Sequence, residues 1–243
     1  MEIEYQVVGS KVRQREQLSK SLFHELQPNL LQPMREMRNS HYKTNKPGLQ
    51  YFESTRQLVA FESRLEAANL LLLDWEANTV AIQGQPFTLY YKTDRKAHWH
   101  TPDFLAANAD GTVTVINVKL SSEISKPKVQ AQFAAASAAC RQVGWEHRVM
   151  GTPVKPFIRN LGLLSGFRDS SIATAKILAA IPDVLINGPA TLDHVAKSIA
   201  SKTSSLEILV RPVIFHALWT KQLTANLNES LSNNTLIMWQ EGQ

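Results

Sequence analysis

Three stretches of the chain carry side chains suited to work on a phosphodiester. The first is Glu62-Ser63-Arg64-Leu65-Glu66, the second His100-Thr101-Pro102-Asp103-Phe104, and the third Ile116-Asn117-Val118-Lys119. Two carboxylates, Glu66 and Asp103, can hold Mg2+, which takes oxygen ligands and keeps several waters, with Mn2+ as a substitute. The backbone carbonyl of Val118 is a further oxygen ligand. Such an ion polarises the phosphorus–oxygen bond and lowers the pKa of a bound water. A lysine beside it, Lys119, stabilises the attacking hydroxide or the charge developing on phosphorus. Glu62, one helical turn before Glu66, competes with it for the acidic role.

Each piece also has a bland reading. Thr101-Pro102-Asp103-Phe104 can be a turn entering a strand, Asn117-Val118-Lys119 alone says almost nothing, and Glu66 alone can be a solvated helix carboxylate. Their order is more specific than any one of them. His98 and His100 lie on one strand face and suggest a zinc pair, but no third ligand is nearby, so packing at the rim or contact with phosphate is favoured. Cys140, among alanines, reads as a buried small apolar residue, and no motif around it suggests a Cys–His hydrolase.

These residues need elements to position them. Leu58, Phe61, Leu65, Ala68, Leu72 and Trp75 recur at helical steps and predict one amphipathic helix, capped at Ser54 and ending near Asn78. Four strands follow, at Thr79 to Gln83, Phe87 to Lys92, His98 to Ala106 and Thr112 to Lys119, with a hairpin turn at Asp110-Gly111. That hairpin makes it possible for Asp103, Asn117 and Lys119 to share one face, with Glu66 above it on the helix. A helix over Lys126 to Val143, stopped by Gly144, and a strand over Glu146 to Met150 complete an α/β sandwich around a small mixed sheet. It ends near Gly151. Helices are then expected at Phe157 to Phe167, Ser171 to Ala180, Leu192 to Ala200 and Ser205 to Thr220. A weakly alternating tail, Gln222 to Trp239, turns at Ser232-Asn233-Asn234. That order spells a winged helix-turn-helix. Residues 1–50, with Lys11, Arg13, Arg15, Arg35, Arg38, Lys43 and Lys46, read as a basic N-terminal arm, either loosely ordered or gripping phosphate or a partner.

Composition narrows the classes. The chain has 243 residues, 44% of them hydrophobic, which is enough to build a core and excludes global disorder. A formal charge of +5 is only a mild lean toward polyanions. One cysteine excludes a disulfide framework and a Cys-rich zinc site. The first residues lack the apolar stretch of a secretion signal, and the longest apolar run, around Leu70 to Leu73, is too short to span a bilayer. A soluble, cytoplasmic protein is expected.

The motifs resemble the PD-(D/E)xK nuclease superfamily, and more narrowly the TnsA-type endonucleases of heteromeric cut-and-paste transposases. The matching text is Glu62 to Glu66, then Val80-Ala81-Ile82-Gln83-Gly84-Gln85-Pro86, then Thr101 to Leu105, then Asn117-Val118-Lys119. The resemblance implies a restriction-endonuclease-like core over 51–152 and the winged-helix domain over 153–243. It implies Glu66 as the helix carboxylate, Asp103 as the central metal ligand and Lys119 as the catalytic lysine. Asn117 stands where many members carry an acidic metal ligand and is a candidate ligand with Glu66, Asp103 and Val118; the change removes one negative charge and implies weaker metal binding, or one tightly held ion, unless Glu62 or substrate phosphate compensates. The resemblance further implies Mg2+-dependent cleavage of the 5′ strands at transposon ends in a bacterial, nucleoid-associated complex. Its partners would be double-stranded end DNA, a DDE-type transposase subunit and an AAA+ ATPase regulator. In the second domain Lys197, Lys202, Arg211 and Lys221 are candidate DNA contacts. The apolar last helix favours partner docking as that domain's main role. Two other readings remain, a stand-alone restriction or repair nuclease and a catalytically inactive DNA-binding scaffold.

Overall fold

The computed structural model describes residues 1–35, 46–93 and 96–240. They divide into two compact units, Met1–Thr152 and Pro153–Gln243.

In the first unit the chain runs through β1 (Glu2–Tyr5), β2 (Gln14–Gln17), a one-turn α1 (Leu22–Glu25), and the hairpin β3 (Gly48–Phe52) and β4 (Gln57–Phe61). It continues through α2 (Arg64–Glu76), β5 (Thr79–Gly84), β6 (Phe87–Thr93), β7 (Lys96–His100), β8 (Phe104–Asn108), β9 (Val113–Val118), α3 (Pro127–Val143) and β10 (Glu146–Met150). Two four-stranded sheets result, ordered β2-β1-β6-β7 and β10-β9-β8-β5. In the second, β5, β8 and β9 are antiparallel neighbours and β10 joins β9 in parallel, the mixed sheet expected. Gly144, left-handed at φ 88°, closes α3.

Three expectations are corrected. Residues 1–35 are not a separate arm. Ile3 and Tyr5 pair with Leu89 and Phe87 of β6. Together with Leu18, Leu22, Leu26 and Leu31 they are buried in the core that also holds Leu105, Val115, Ala136 and Cys140. The basic residues among them are absorbed locally: Arg15 pairs with Glu2 and lies 3.8 Å over the Tyr90 ring, and Arg13 donates to the Met34 carbonyl. Arg38 and Lys43 lie outside the described residues.

The helix expected from Ser54 begins ten residues later. Leu58 to Phe61 belong to β4, and Ser63 is the N-cap, accepting from the Glu66 N–H at 3.2 Å. The buried stripe of α2 is also shifted. Leu65, Ala68, Leu72 and Trp75 are half-buried, whereas Glu66, Asn69, Leu70, Leu73 and Asp74 face inward. Leu70 and Leu73 join Phe52, Phe104 and Ile116 in the second core. The polar members are held by hydrogen bonds, Asn69 to the Gly151 carbonyl and Asp74 from the Glu53 N–H.

The strand expected from His98 to Ala106 is two strands in two sheets. β7 pairs with β6, whereas β8 pairs with β5 and β9. Pro102, which cannot donate to a ladder, stands at the crossing.

The second unit contains α4 (Lys155–Leu164), α5 (Ala175–Val184), β11 (Ala190–Thr191), α6 (Leu192–Thr203), α7 (Glu207–Trp219), β12 (Leu223–Ala225) and β13 (Leu236–Trp239). The last three strands form one sheet ordered β11-β13-β12. Thr191 caps α6, and Ser204, left-handed at φ 51°, makes the turn into α7. Asn160 of α4 is buried and ties down the segment before β13, donating to the carbonyls of Leu227 and Glu229 and accepting from the Leu231 N–H.

Candidate active site

The crossing between the sheets fixes Asp103. Its N–H donates to the Ile116 carbonyl, its carbonyl accepts from the Gln85 N–H, and its Oδ2 accepts from the Val118 N–H at 2.6 Å. A side chain bonded to the backbone of the adjacent strand has little freedom. Glu66 comes from the first turn of α2, where its carboxylate accepts from the Glu62 N–H at 2.7 Å and from the Ser63 hydroxyl at 2.7 Å. Together with the Ser63 cap these bonds form a reciprocal capping arrangement, which aims Glu66 inward.

The two carboxylates act on each other's surroundings. Burial, and then the nearby charge of Glu66, push Asp103 up from 3.8 to about 7. Burial also pushes Glu66 up, and Glu62 adds to that. The cation that opposes both is Arg35. Its guanidinium pairs with Glu62 at 3.1 Å. Like-charged carboxylates, one buried and one half-buried, with their pKa values raised suit a divalent cation brought by solvent or substrate. Among the described residues no three His, Cys, Asp or Glu side chains form a group able to hold a metal ion. The site therefore offers two carboxylates rather than a closed cage. That fits Mg2+, which commonly takes one or two protein carboxylates plus substrate phosphate, better than structural zinc.

Asn117 and Lys119 follow different paths from Asp103. Asn117 is 1% exposed, and its Oδ1 lies 2.6 Å from His100 Nε2. Its Nδ2 lies 2.8 Å from His147 Nε2. On the far side of His100, the Gln132 amide donates to Nδ1. One arrangement of protons satisfies the whole chain. His100 is neutral and carries its proton on Nε2, donating to Asn117, which in turn donates to His147. Burial supports this by lowering His100 to about 4. The amide of Asn117 is thus engaged by the two histidines.

Lys119 has its Nζ 3.4 Å from Glu123 Oε2, with the lysine side chain 41% exposed. Glu123 also pairs with Lys126 at 2.8 Å. The structure brings Glu66 and Asp103 together and leaves the Lys119 amine in an exposed pair with Glu123, one residue past the Val118 whose N–H holds Asp103. His98 is exposed and stacks on Tyr91 at 5.5 Å, so it and buried His100 do not converge as a zinc pair. Cys140 is buried, which pushes its thiol up to about 12.

His147 and Gln132 were not singled out by sequence reasoning, and Arg35 was named only as one basic residue of the expected arm. They carry no local signal, since each depends on contacts distant in the chain.

In the second unit three of the candidate DNA-contacting cations are in ion pairs. Lys197 meets Asp193 at 2.7 Å and Lys202 meets Asp183 at 2.5 Å. Arg211 bonds Glu207, Asp193 and Asn233. Lys221 sits left-handed at φ 62° just after α7. The start of α7 is apolar and open to solvent, with Leu206, Ile208 and Leu209 exposed, while Val210, Val213, Ile214 and Ala217 fill the core. Among the described residues no helix is long and apolar enough to cross a membrane.

Residues 76–151 match the family model described as TnsA-like endonuclease N terminal. No curated protein matches the chain. The matched span contains Asp103, Asn117, Val118 and Lys119; Glu66 and the second unit lie outside it. Within the first unit, residues 76–151 are therefore similar to the N-terminal part of TnsA-like endonucleases.

Proposed function

We propose that the chain is the Mg2+-dependent endonuclease subunit of a heteromeric transposase, cutting the 5′ strands at transposon ends. The observation that carries this reading is the pairing of half-buried Asp103 with buried Glu66, Asp103 being anchored to the Val118 N–H inside the matched span. Glu66, Asp103 and the Val118 carbonyl would hold the ion, which when bound polarises the phosphate and makes its water a nucleophile at neutral pH. Asn117 is not carried into this set, because its amide is engaged by His100 and His147.

The protein's own groups do the rest. The Val118 N–H fixes the Asp103 carboxylate, and the Ser63 hydroxyl and Glu62 N–H fix Glu66, so both are aimed before substrate arrives. Lys119 leaves Glu123 to meet the charge that grows on phosphorus. An exposed pair of this kind is worth about 0–1 kcal/mol, and Glu123 keeps Lys126 when Lys119 departs.

The second unit is read as a winged helix-turn-helix. The reading is supported by α6, the Ser204 turn and α7, and by the β12–β13 ribbon pairing back to β11. The exposed Leu206, Ile208 and Leu209 favour docking of a protein partner, either the DDE-type transposase or the AAA+ regulator, over base reading. Lys197, Lys202, Arg211 and Lys221 are secondary DNA contacts, each of the first three needing to exchange a carboxylate for a phosphate.

The test is nicking of supercoiled plasmid and of end-bearing DNA with Mg2+ or Mn2+, with and without the partner transposase. Little cutting is expected alone, and 5′-strand nicks in the complex. Asp103→Ala and Lys119→Ala should each abolish them with the fold intact. Cutting by both variants at the parent's rate refutes the assignment.

A further inference from the structure

Beside the carboxylates runs a groove that the hydrolytic reading does not use. β7 is an edge strand of its sheet, and Lys96 to Trp99 are exposed along it. A cavity of about 540 Å3 opens between this edge and α3, lined by Arg35, Tyr91, His98, Trp99, Lys128 and Gln132 among others. Trp99 is 63% exposed. One solvent-facing indole is unremarkable by itself. Its company is not: the Arg35 guanidinium lies 5.9 Å from its ring centroid, and the Tyr91–His98 stack, on the other face of the same strand pair, lines the same cavity. Exposed Lys128 adds charge on the opposite wall.

Aromatic faces interleaved with cations are how proteins hold single-stranded nucleic acid, bases stacking on rings while cations follow the backbone. A ring cannot stack on a base that is still paired within a duplex, so the ligand that fits is an unpaired nucleotide. The volume agrees, being that of a small-molecule pocket rather than of a duplex channel. The groove also leads to the reacting centre, since the same Arg35 pairs with Glu62, whose N–H holds the Glu66 carboxylate. The Arg35–Glu62 pair is exposed on both sides, and a phosphate can replace the carboxylate.

We propose that this groove seats an unpaired nucleotide of the cleaved strand, its base on Trp99 and its flanking phosphates on Arg35 and Lys128. The proposal rests on the nuclease reading for its place beside the scissile phosphate.

The test is fluorescence anisotropy with the full chain in EDTA, where no cutting occurs. The probes are a labelled duplex carrying an unpaired 5′ tail and the same duplex fully paired. The parent should bind the tailed probe more tightly. Trp99→Ala should lose roughly ten-fold on the tailed probe and little on the paired one, while Trp99→Phe keeps most of the preference. Arg35→Ala should weaken both probes and flatten the salt dependence. Equal affinity of Trp99→Ala and parent for the tailed probe overturns the proposal, as does a parent with no preference for the tail. A preference for the tail together with unimpaired nicking by Asp103→Ala would instead refute the assigned catalytic site and leave the groove standing. Failure to bind either probe overturns the groove and leaves the catalytic site to the nicking test in the complex.

Discussion

Replacing Asp103 by Asn should stabilise the metal-free protein, and only at neutral and alkaline pH. The carboxyl is raised from 3.8 to about 7, with burial the largest cause and Glu66 the next. Its folded-state value lies above the unfolded one, so the native protein holds this proton more tightly than the unfolded chain does. Below about pH 4 both states are protonated and the site costs nothing. From pH 4 to 7 the unfolded chain ionises first and stability falls. Above pH 7 the cost is complete, at about 4 kcal/mol as an upper value. Asn resembles the protonated acid, and its Oδ1 can still accept from the Val118 N–H. In EDTA at pH 8 the variant should melt higher, by up to roughly 10 °C for a unit of this size. At pH 4 the two proteins should melt together. Mg2+ at pH 8 should raise the parent's midpoint and leave the variant's unchanged. Calorimetry or circular dichroism melts across that pH range would show it. A variant no more stable than the parent at pH 8, or one equally favoured at pH 4, refutes the reading of Asp103 as an acid whose desolvation is only partly offset by Arg35 and the Val118 N–H.

Lys119→Ala should eliminate nicking while moving the melting midpoint by less than about 2 °C, because the exposed pair it breaks leaves Glu123 with Lys126; a large loss of stability would assign Lys119 a structural role instead. Asn117→Ala should destabilise by about 2–4 kcal/mol in urea denaturation, since it strips a partner from both His100 and His147 in a buried site. Asn160→Ala should cost a similar ~2–4 kcal/mol in the second unit, where one amide serves Leu227, Glu229 and Leu231, and amide exchange across those residues should quicken.

Much of the first unit could be read from pattern. β5, β6, β9, β10 and α3 lie where alternation, the Asp110-Gly111 turn and Gly144 put them. These are signals that local geometry writes directly into residue order. The start of α2 was obscured because Leu58 and Phe61 happen to continue its period from inside a strand. The corrective signal was present in Ser63-Arg64-Leu65-Glu66, a capping box that fixes both the helix start and the aim of Glu66. The phase of α2 was hidden for another reason. Leucines occupy positions 70 to 73 without a break, so hydrophobicity alone does not choose a face, and Asn69 and Asp74 go inside because distant backbone groups receive them. The first strand was missed because Ile3 and Tyr5 offer only two apolar positions, and their burial depends on β6 more than eighty residues away. Arg35 was visible only as one cation of a basic stretch, because its partners Glu62 and Trp99 come from other elements.

The passage from β7 to β8 has a mechanical corollary. Only Thr101, Pro102 and Asp103 separate two sheets, and Thr101 is itself pinned to Thr88 through their hydroxyls at 2.8 Å. A load placed on the outer edge of β7 therefore reaches the Asp103 carboxylate with no slack loop to absorb it. On the proposed reading, a nucleotide seated along that edge would bear directly on the acid assigned to the metal.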